Sequence, residues 1–314
     1  MNKKKNNSDG ARNIIFLVGP TAIGKSEVSL HLAKLLDAEI ISCDSMQVYK
    51  GMDIGTQKVS LQSRTKISHH LIDVISPSRI FSVADFRKKA LSCIEKIHKK
   101  NKQVLFVGGT ALYMKALVDG LFPSPEADKR LRKKLLSSEK KNYKGFLHKK
   151  LKKVDSKTAK LLHPNDTRRI IRALEIYINT NIPMSELKKK TKGLKDNYNI
   201  KIFCLNKDRD ALYESINKRV DQMFKRGLLA ECKRLKSKRL SRSAKQALGY
   251  KEVFAHLNKK SSLSDAKELI KRSTRNFAKR QLSWFRNDKR IIMIDIDNKA
   301  KKEIIEIICK KSMM

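Results

Sequence analysis

Short apolar runs alternate with helix-period stripes over the first third of the chain. Residues 13–19 (NIIFLVG) form a continuous apolar run ending in Gly19, the pattern of a strand buried on both faces of a parallel sheet. From Lys25 onward, Val28, Leu32, Leu35 and Leu36 fall on one helical face. Residues 38–44 (AEIISCD) predict a second buried strand, followed by a loop that carries Gly51 and Gly55. Residues 81–100 predict a helix with Phe86, Ala90, Ile94 and Ile97 on its apolar side. A third buried strand is predicted over 102–109, then a helix over 110–120 closed by Gly120. This alternation predicts an α/β fold built on a doubly wound parallel sheet.

The pattern changes at the breaker-rich segment FPSPEADKR (122–130). From about 128 to 190 only basic, helix-like stretches occur, without a strand candidate. Residues 197–205 (NYNIKIFCL) and 290–296 (RIIMIDI) are strand-like again. The expected organisation is an α/β core over 13–121 and 198–314, a helical insertion domain over 122–197, and a disordered basic tail over 1–12.

Composition narrows the function classes. Lys and Arg number 72 against 31 Asp and Glu in 314 residues, a formal net charge of +41. That excess makes nucleic acid the leading partner, although lysine decorating every solvated face gives the same total. With 40% hydrophobic residues there is material for a core, which excludes a wholly disordered basic protein. No apolar run reaches the ~18 residues of a membrane span, and no signal-peptide core is present, so a cytoplasmic protein is expected. Five cysteines without a CxxC pair argue against a disulfide framework or a structural zinc site and read as reduced, mostly buried residues.

The segment Gly19-Pro20-Thr21-Ala22-Ile23-Gly24-Lys25-Ser26 matches G-x-x-x-x-G-K-[ST] in the required setting, between a buried strand and a helix. The glycines let successive N–H groups point into one concavity, the helix adds its positive end, Lys25 reaches terminal phosphates, and the Ser26 hydroxyl suits Mg²⁺. The loop therefore indicates a polyphosphate, and not ATP in particular. A nucleotide hydrolase holds its metal with an acid at the end of an apolar strand. The strand at 102–109 ends in glycines instead. Asp44, at the end of the neighbouring strand, suits either a metal-holding acid or a general base.

Two basic helices stand out. Over 166–178, Asn165 or Asp166 suits the cap. Ile170, Ile171, Leu174, Tyr177 and Ile178 form the expected stripe, with Arg168, Arg169 and Arg172 mostly off it. Over 272–286, Phe277, Trp284 and Phe285 fall on one side, with Trp284 expected in the core, and Arg272, Arg275 and Lys279 share another face. His69 and His70 lack a third ligand and read as structural.

Eight blocks in order carry a family resemblance: GPTAIGKS (19–26), ISCDSMQVYKGMDIGT (41–56), HHLID (69–73), FSVADFR (81–87), VGGTALYMKALVDGL (107–121), LHPNDTRRIIRALEIY (162–177), QALGYKE (246–252) and TRNFAKRQLSWFRND (274–288). The chain closely resembles the bacterial tRNA dimethylallyltransferases, or tRNA isopentenyltransferases. It lacks the Cys/His spacing of the zinc finger in eukaryotic relatives, and Ser26 stands where many relatives carry Thr. The resemblance implies a P-loop NTPase-like core. It also implies transfer of a dimethylallyl group from dimethylallyl diphosphate to the exocyclic amine of adenosine at position 37 of tRNAs reading codons that begin with U. Diphosphate is the other product.

The same resemblance implies that residues Gly19 to Ser26 bind the diphosphate, with Thr21 near its bridging oxygen, Arg219 in contact with it and Ser26 helping to hold Mg²⁺. Asp44 matches the general base, and Thr21, Lys25 and Arg219 complete the catalytic set. tRNA contacts are implied at Asp44, Ser45, Met46 and Gln47; at Thr110 and Arg132; and at Arg168, Arg169, Ile170, Ile171 and Arg172. Further ones are implied at Gln246, Ala247, Leu248, Gly249, Tyr250 and Lys251, and at Thr274, Arg275, Asn276, Phe277, Ala278, Lys279, Arg280 and Gln281. The expected partner is the anticodon stem-loop of tRNA, gripped by the insertion of a monomer, with no membrane. The residues alone leave two other readings open: a nucleoside or small-molecule kinase, and an RNA-binding protein that has lost catalysis.

Overall fold

The computed structural model describes residues 13–313, so the tail expected over 1–12 lies outside the described residues. The described residues separate into two compact units, one formed by 13–118 and 197–313 and the other by 119–196.

The first unit is built on a six-stranded parallel sheet of order β3-β2-β4-β1-β5-β6. Its first half contains β1 (Asn13–Val18), α1 (Lys25–Leu35), β2 (Ala38–Ser42), α2 (Leu61–Lys66), β3 (His69–His70), α3 (Val83–Lys99), β4 (Gln103–Gly108) and α4 (Ala111–Val118). β1 lies in the middle, with Phe16 opposite Phe106 of β4 and the two rings stacked at 4.6 Å between centroids. Every side chain from Ile14 to Val18 is buried, as expected of a strand covered on both faces. α3 is entered through a capping box, in which Ser82 and Asp85 satisfy each other's backbone N–H.

The second unit is helical: α5 (Lys129–Lys141), α6 (Phe146–Val154), α7 (Ser156–Leu161), α8 (Thr167–Thr180) and α9 (Met184–Lys189), with a short 3₁₀ turn over Leu194–Asp196. Its core gathers Leu135, Leu147, Leu151, Ala159, Ile170, Ile171, Ala173 and Leu174. Asp166 caps α8 by accepting the Arg169 N–H.

The chain then returns to the sheet through β5 (Asn199–Asn206), which pairs with β1. It continues through α10 (Arg209–Lys225), α11 (Leu228–Lys236), α12 (Arg242–Lys245), α13 (Tyr250–Leu257), the long α14 (Leu263–Arg286), β6 (Ile291–Asp295) and α15 (Lys301–Met313). Among the described residues no helix is long and apolar enough to cross a membrane. All five cysteines are free, and Cys43, Cys204 and Cys232 are buried.

Two expectations need correction. In α8 the buried arc is Ile170, Ile171, Ala173, Leu174, Glu175 and Ile176, while Ile178 is exposed. The sequence stripe followed apolar identity, whereas the helix turns a charged residue inward because two arginines neutralise it. In α14 the inward positions are Ala266, Ile270, Thr274, Ala278, Gln281 and Phe285, mostly four residues apart. Phe277 is therefore exposed, and Trp284 is half-buried and not in the core. His69 and His70, expected to be structural, form β3 at the sheet edge, an element two residues long with no periodicity to reveal it.

Candidate active site

β1 and α1 set the phosphate-binding loop. Gly24, at φ +92°, is the N-cap of α1, and no side chain caps the helix. The first N–H groups of α1 are thus left facing the pocket side, where an anion complements them. Lys25 folds over the same loop, its Nζ donating to Gly19 O at 3.0 Å and Pro20 O at 2.7 Å. Burial, reinforced by the nearby Arg219 guanidinium, pushes its ammonium down to about 8, although Asp44 opposes the shift. Thr21 Oγ1 accepts from Arg219 Nη1 at 2.9 Å, which joins α10 to the loop. Burial lowers the Arg219 guanidinium to about 10, so it remains cationic at neutral pH.

The strand ends opposite the loop are drawn close. Cys43 N–H donates to Val107 O at 2.7 Å, and Thr110 N–H donates to Cys43 O at 3.2 Å. A Cβ at Gly108 would stand 2.2 Å from Cys43 O, so only glycine fits where β4 passes β2. Asp44 follows directly. Its Oδ1 accepts the N–H groups of Met46 at 2.8 Å and Gln47 at 3.4 Å, a side-chain turn that fixes the carboxylate. Ser45 N–H donates to Thr110 Oγ1 at 3.1 Å. Gln47 is held on both ends: Oε1 accepts from Ser42 Oγ, and Nε2 donates to the carbonyls of Thr56 and Gln57.

These groups share one pocket of about 610 Å³, lined by residues 21–26, Asp44, Gln47, Thr56, Gln57, Arg219, Phe277 and Gln281 among others. Cations, N–H groups and a carboxylate line it together, with glycines at the end of β4 where a nucleotide hydrolase places its acid. Among the described residues no three His, Cys, Asp or Glu side chains converge as a metal cage. The donors present, the exposed Ser26 hydroxyl and the Asp44 carboxylate, are hard oxygens. They fit Mg²⁺, which keeps several waters and takes phosphate oxygens with one or two protein ligands.

The remaining expected residues fall into two groups. Gln246, Lys251, Asn276, Phe277, Lys279 and Arg280 are exposed. Leu248 is half-buried, and so is Arg275, which donates to Asn217 Oδ1 at 2.7 Å. Ala247, Gly249, Tyr250, Thr274, Ala278 and Gln281 are buried, so their side chains are not free surface.

In the helical unit, Ile170 and Ile171 belong to the core, and Arg168 is exposed. Arg169 pairs with Asp166 at 2.9 Å. Arg132 makes a two-point contact with Glu175, at 2.8 and 2.7 Å. Arg172 also binds Glu175 and reaches Ser124 Oγ at 2.9 Å and Pro125 O at 3.0 Å. Burial alone would raise the Glu175 carboxyl; the two arginines and the Asp128 N–H instead hold it below its usual range. Arg132 and Arg172 are thus internal ion-pair partners in this unit. His70 bonds Glu39 at 2.7 Å and His69 bonds Ile67 O at 2.7 Å, both structural contacts.

Sequence reasoning missed what Gln281 does here. Its Oε1 accepts the Thr21 N–H at 3.0 Å and its Nε2 donates to Gly109 O at 2.8 Å, so one amide from α14 links the loop to the end of β4. No local signal points to that contact.

The sequence model of the IPP transferase family matches residues 47–288. A tRNA dimethylallyltransferase of Carboxydothermus hydrogenoformans is 45% identical over 298 residues, covering 94% of this chain and 96% of the relative. One from Finegoldia magna is 44% identical over 96% of this chain and 97% of its own length. Among solved structures, the full-length tRNA isopentenylpyrophosphate transferase of Bacillus halodurans superposes with a TM-score of 0.71 at 40% identity, covering 96% of this chain and 97% of that one. A eukaryotic dimethylallyltransferase acting on tRNA superposes with a TM-score of 0.78 at 30% identity, covering 96% and 79% of the two chains. The chain belongs to the IPP transferase family.

Proposed function

We propose that this protein transfers a dimethylallyl group from dimethylallyl diphosphate to tRNA, at the exocyclic amine of adenosine 37 in tRNAs that read codons beginning with U. The observation that carries the reading is the meeting of a polyphosphate loop and the Asp44 carboxylate on one pocket, with no acid at the end of β4. A phosphate loop without that acid suits a diphosphate that leaves, since the group to be stabilised is then the loop's own ligand.

The chemistry follows from the residues. The donor's C1–O bond breaks and the electron pair departs with the diphosphate, where the N–H groups of residues 22–26, Lys25 and Arg219 receive the growing negative charge. The adenine amine attacks C1 with its lone pair. That pair is delocalised into the ring, so loss of the amine proton as the C–N bond forms assists the attack, and Asp44 accepts the proton. Thr21, anchored by Arg219, stands beside the bridging oxygen. When bound, Mg²⁺ supplies further neutralisation of the diphosphate, with Ser26 as its protein ligand. The base must leave its stack to reach the pocket, which favours single-stranded loop substrate, the anticodon stem-loop. The exposed Arg168 and the lysines of α5 and α6 give the helical unit a basic surface for that arm, and the protein acts as a monomer.

Incubation with labelled dimethylallyl diphosphate and unmodified tRNA tests the reading. Labelled tRNA and free diphosphate support it. ADP formed from ATP would mark a kinase, and retention of tRNA without either product would mark a binding protein.

A further inference from the structure

A carboxylate that the scheme above does not use braces the pocket from behind. Glu231 of α11 is buried, and its four lone-pair sites are all taken. Oε2 accepts the N–H groups of Asp53 at 2.8 Å and Ile54 at 2.9 Å. Oε1 accepts Gly55 N–H at 3.1 Å and the Tyr250 hydroxyl at 2.7 Å. Three consecutive backbone donors on one carboxylate pin a loop segment, because such charge-assisted hydrogen bonds are roughly twice as strong as neutral ones.

The same loop lies against the Tyr250 ring so closely that a Cβ at Gly55 would stand 2.4 Å from it. At its other end Lys58 Nζ donates to Tyr49 O and to Asp53 Oδ1, both at 2.6 Å. The residues that follow the braced amides are Thr56 and Gln57, whose carbonyls receive Gln47 Nε2 at 3.3 and 3.4 Å. Gln47 N–H in turn donates to Asp44 Oδ1. Asp44, Gln47, Thr56 and Gln57 all line the pocket, whereas Glu231 and Tyr250 do not.

We propose that Glu231 is a positioning residue for the transfer: from α11 it sets the 53–57 segment, and through Gln47 it sets where the Asp44 carboxylate points. The proposal rests on the transferase reading and on Asp44 as proton acceptor. Tyr250 then acts through Glu231 rather than on tRNA. Its hydroxyl remains a donor because burial, and after it the adjacent carboxylate, push its ionisation far upward.

The test uses the full chain with Glu231→Gln and Tyr250→Phe. The readouts are steady-state transfer to tRNA, inorganic diphosphate binding, and amide hydrogen exchange resolved to short segments. Glu231→Gln is expected to lower kcat by at least about tenfold. Exchange should quicken over residues 53–57 alone, and diphosphate binding should stay at the parent value. Tyr250→Phe should move kcat and exchange the same way by less. A folded Glu231→Gln protein with parental kcat, or one that loses diphosphate binding in step with kcat, overturns the proposal. Should Glu231→Gln fail to fold, Tyr250→Phe decides: parental kcat with unaltered 53–57 exchange overturns it. A parent chain without any transfer counts against the transferase reading. Exchange over 53–57 then still decides the brace, which unaltered protection in Glu231→Gln overturns.

Discussion

The side-chain amide of Gln281 accepts the backbone N–H of Thr21 at 3.0 Å, across 260 residues of sequence. Its other end donates to Gly109 O, so the phosphate loop and the end of β4 are tied through one buried side chain. Gln281→Leu, of similar volume, leaves the buried Gly109 carbonyl without a partner, at about 1–3 kcal/mol, and frees the half-buried Thr21 N–H that lines the pocket. A lowered melting temperature and weaker diphosphate binding are expected together. Gln281→Glu keeps the acceptor for Thr21 but sets an oxygen against Gly109 O, so it should not restore stability. Thermal melts and calorimetric titrations with inorganic diphosphate on the three proteins check both statements.

Asp44→Asn separates proton transfer from architecture. The Asn Oδ1 still accepts the N–H groups of Met46 and Gln47, so the turn survives. Turnover should fall by roughly 10²–10⁴, the range for loss of a general base. tRNA affinity by filter binding should be unchanged. Parental turnover removes Asp44 from the reaction.

Lys25 gives the site a pH dependence. In the free pocket its ammonium is lowered to about 8, by burial first and Arg219 second. It is charged at neutral pH and loses its proton as pH rises through that value. Diphosphate binding should therefore weaken above about pH 8, by up to about tenfold per unit, and Lys25→Met should bind weakly with that inflection absent. Folding stability runs the other way. The folded pKa lies below the unfolded 10.5, so the unfolded chain holds more protons between those values, and the Lys25 contribution to stability rises with pH there. Calorimetric titration with inorganic diphosphate across this range measures the first effect, and chemical denaturation the second.

The α8 arginines should divide by role. Arg168→Ala removes an exposed cation and should flatten the salt dependence of tRNA binding by about one unit of slope, with stability unchanged. Arg172→Ala leaves Glu175, which is 0% exposed, with Arg132 as its remaining guanidinium partner. Breaking part of a buried ion pair costs up to about 3–5 kcal/mol, so the variant should unfold earlier. Salt titrations and melts of the two single variants distinguish the roles.

How much of this was legible follows from the range of each signal. β1, β2 and β4 read as near-continuous apolar runs because both faces of the sheet are covered there, whereas the edge strand β6 keeps Met293 exposed, and the phosphate loop is a local pattern of eight residues between a strand and a helix. β3 is two residues long and carries no period. In α14 the aromatic residues draw the stripe that the sequence shows, whereas small and polar side chains at 274, 278 and 281 let the helix lie close to the sheet-bearing core. Gln281 and Glu231 were illegible for a different reason. Their partners lie 260 and 176–178 residues away, where neither periodicity nor spacing carries information. Arg132 and Arg172, implied by resemblance as tRNA contacts, also pair with Glu175, and the sequence does not show that Glu175 is turned inward between them.

A crystal structure with a non-hydrolysable prenyl thiolodiphosphate bound decides whether the loop at 19–26 grips the diphosphate of a prenyl donor with Asp44 facing the carbon to be transferred. Diphosphate oxygens are expected on the N–H groups of residues 22–26 and on Lys25 and Arg219, with the prenyl carbon turned toward Asp44. A donor bound elsewhere, or this loop taking a nucleoside triphosphate in preference to it, would remove the loop and Asp44 from prenyl transfer.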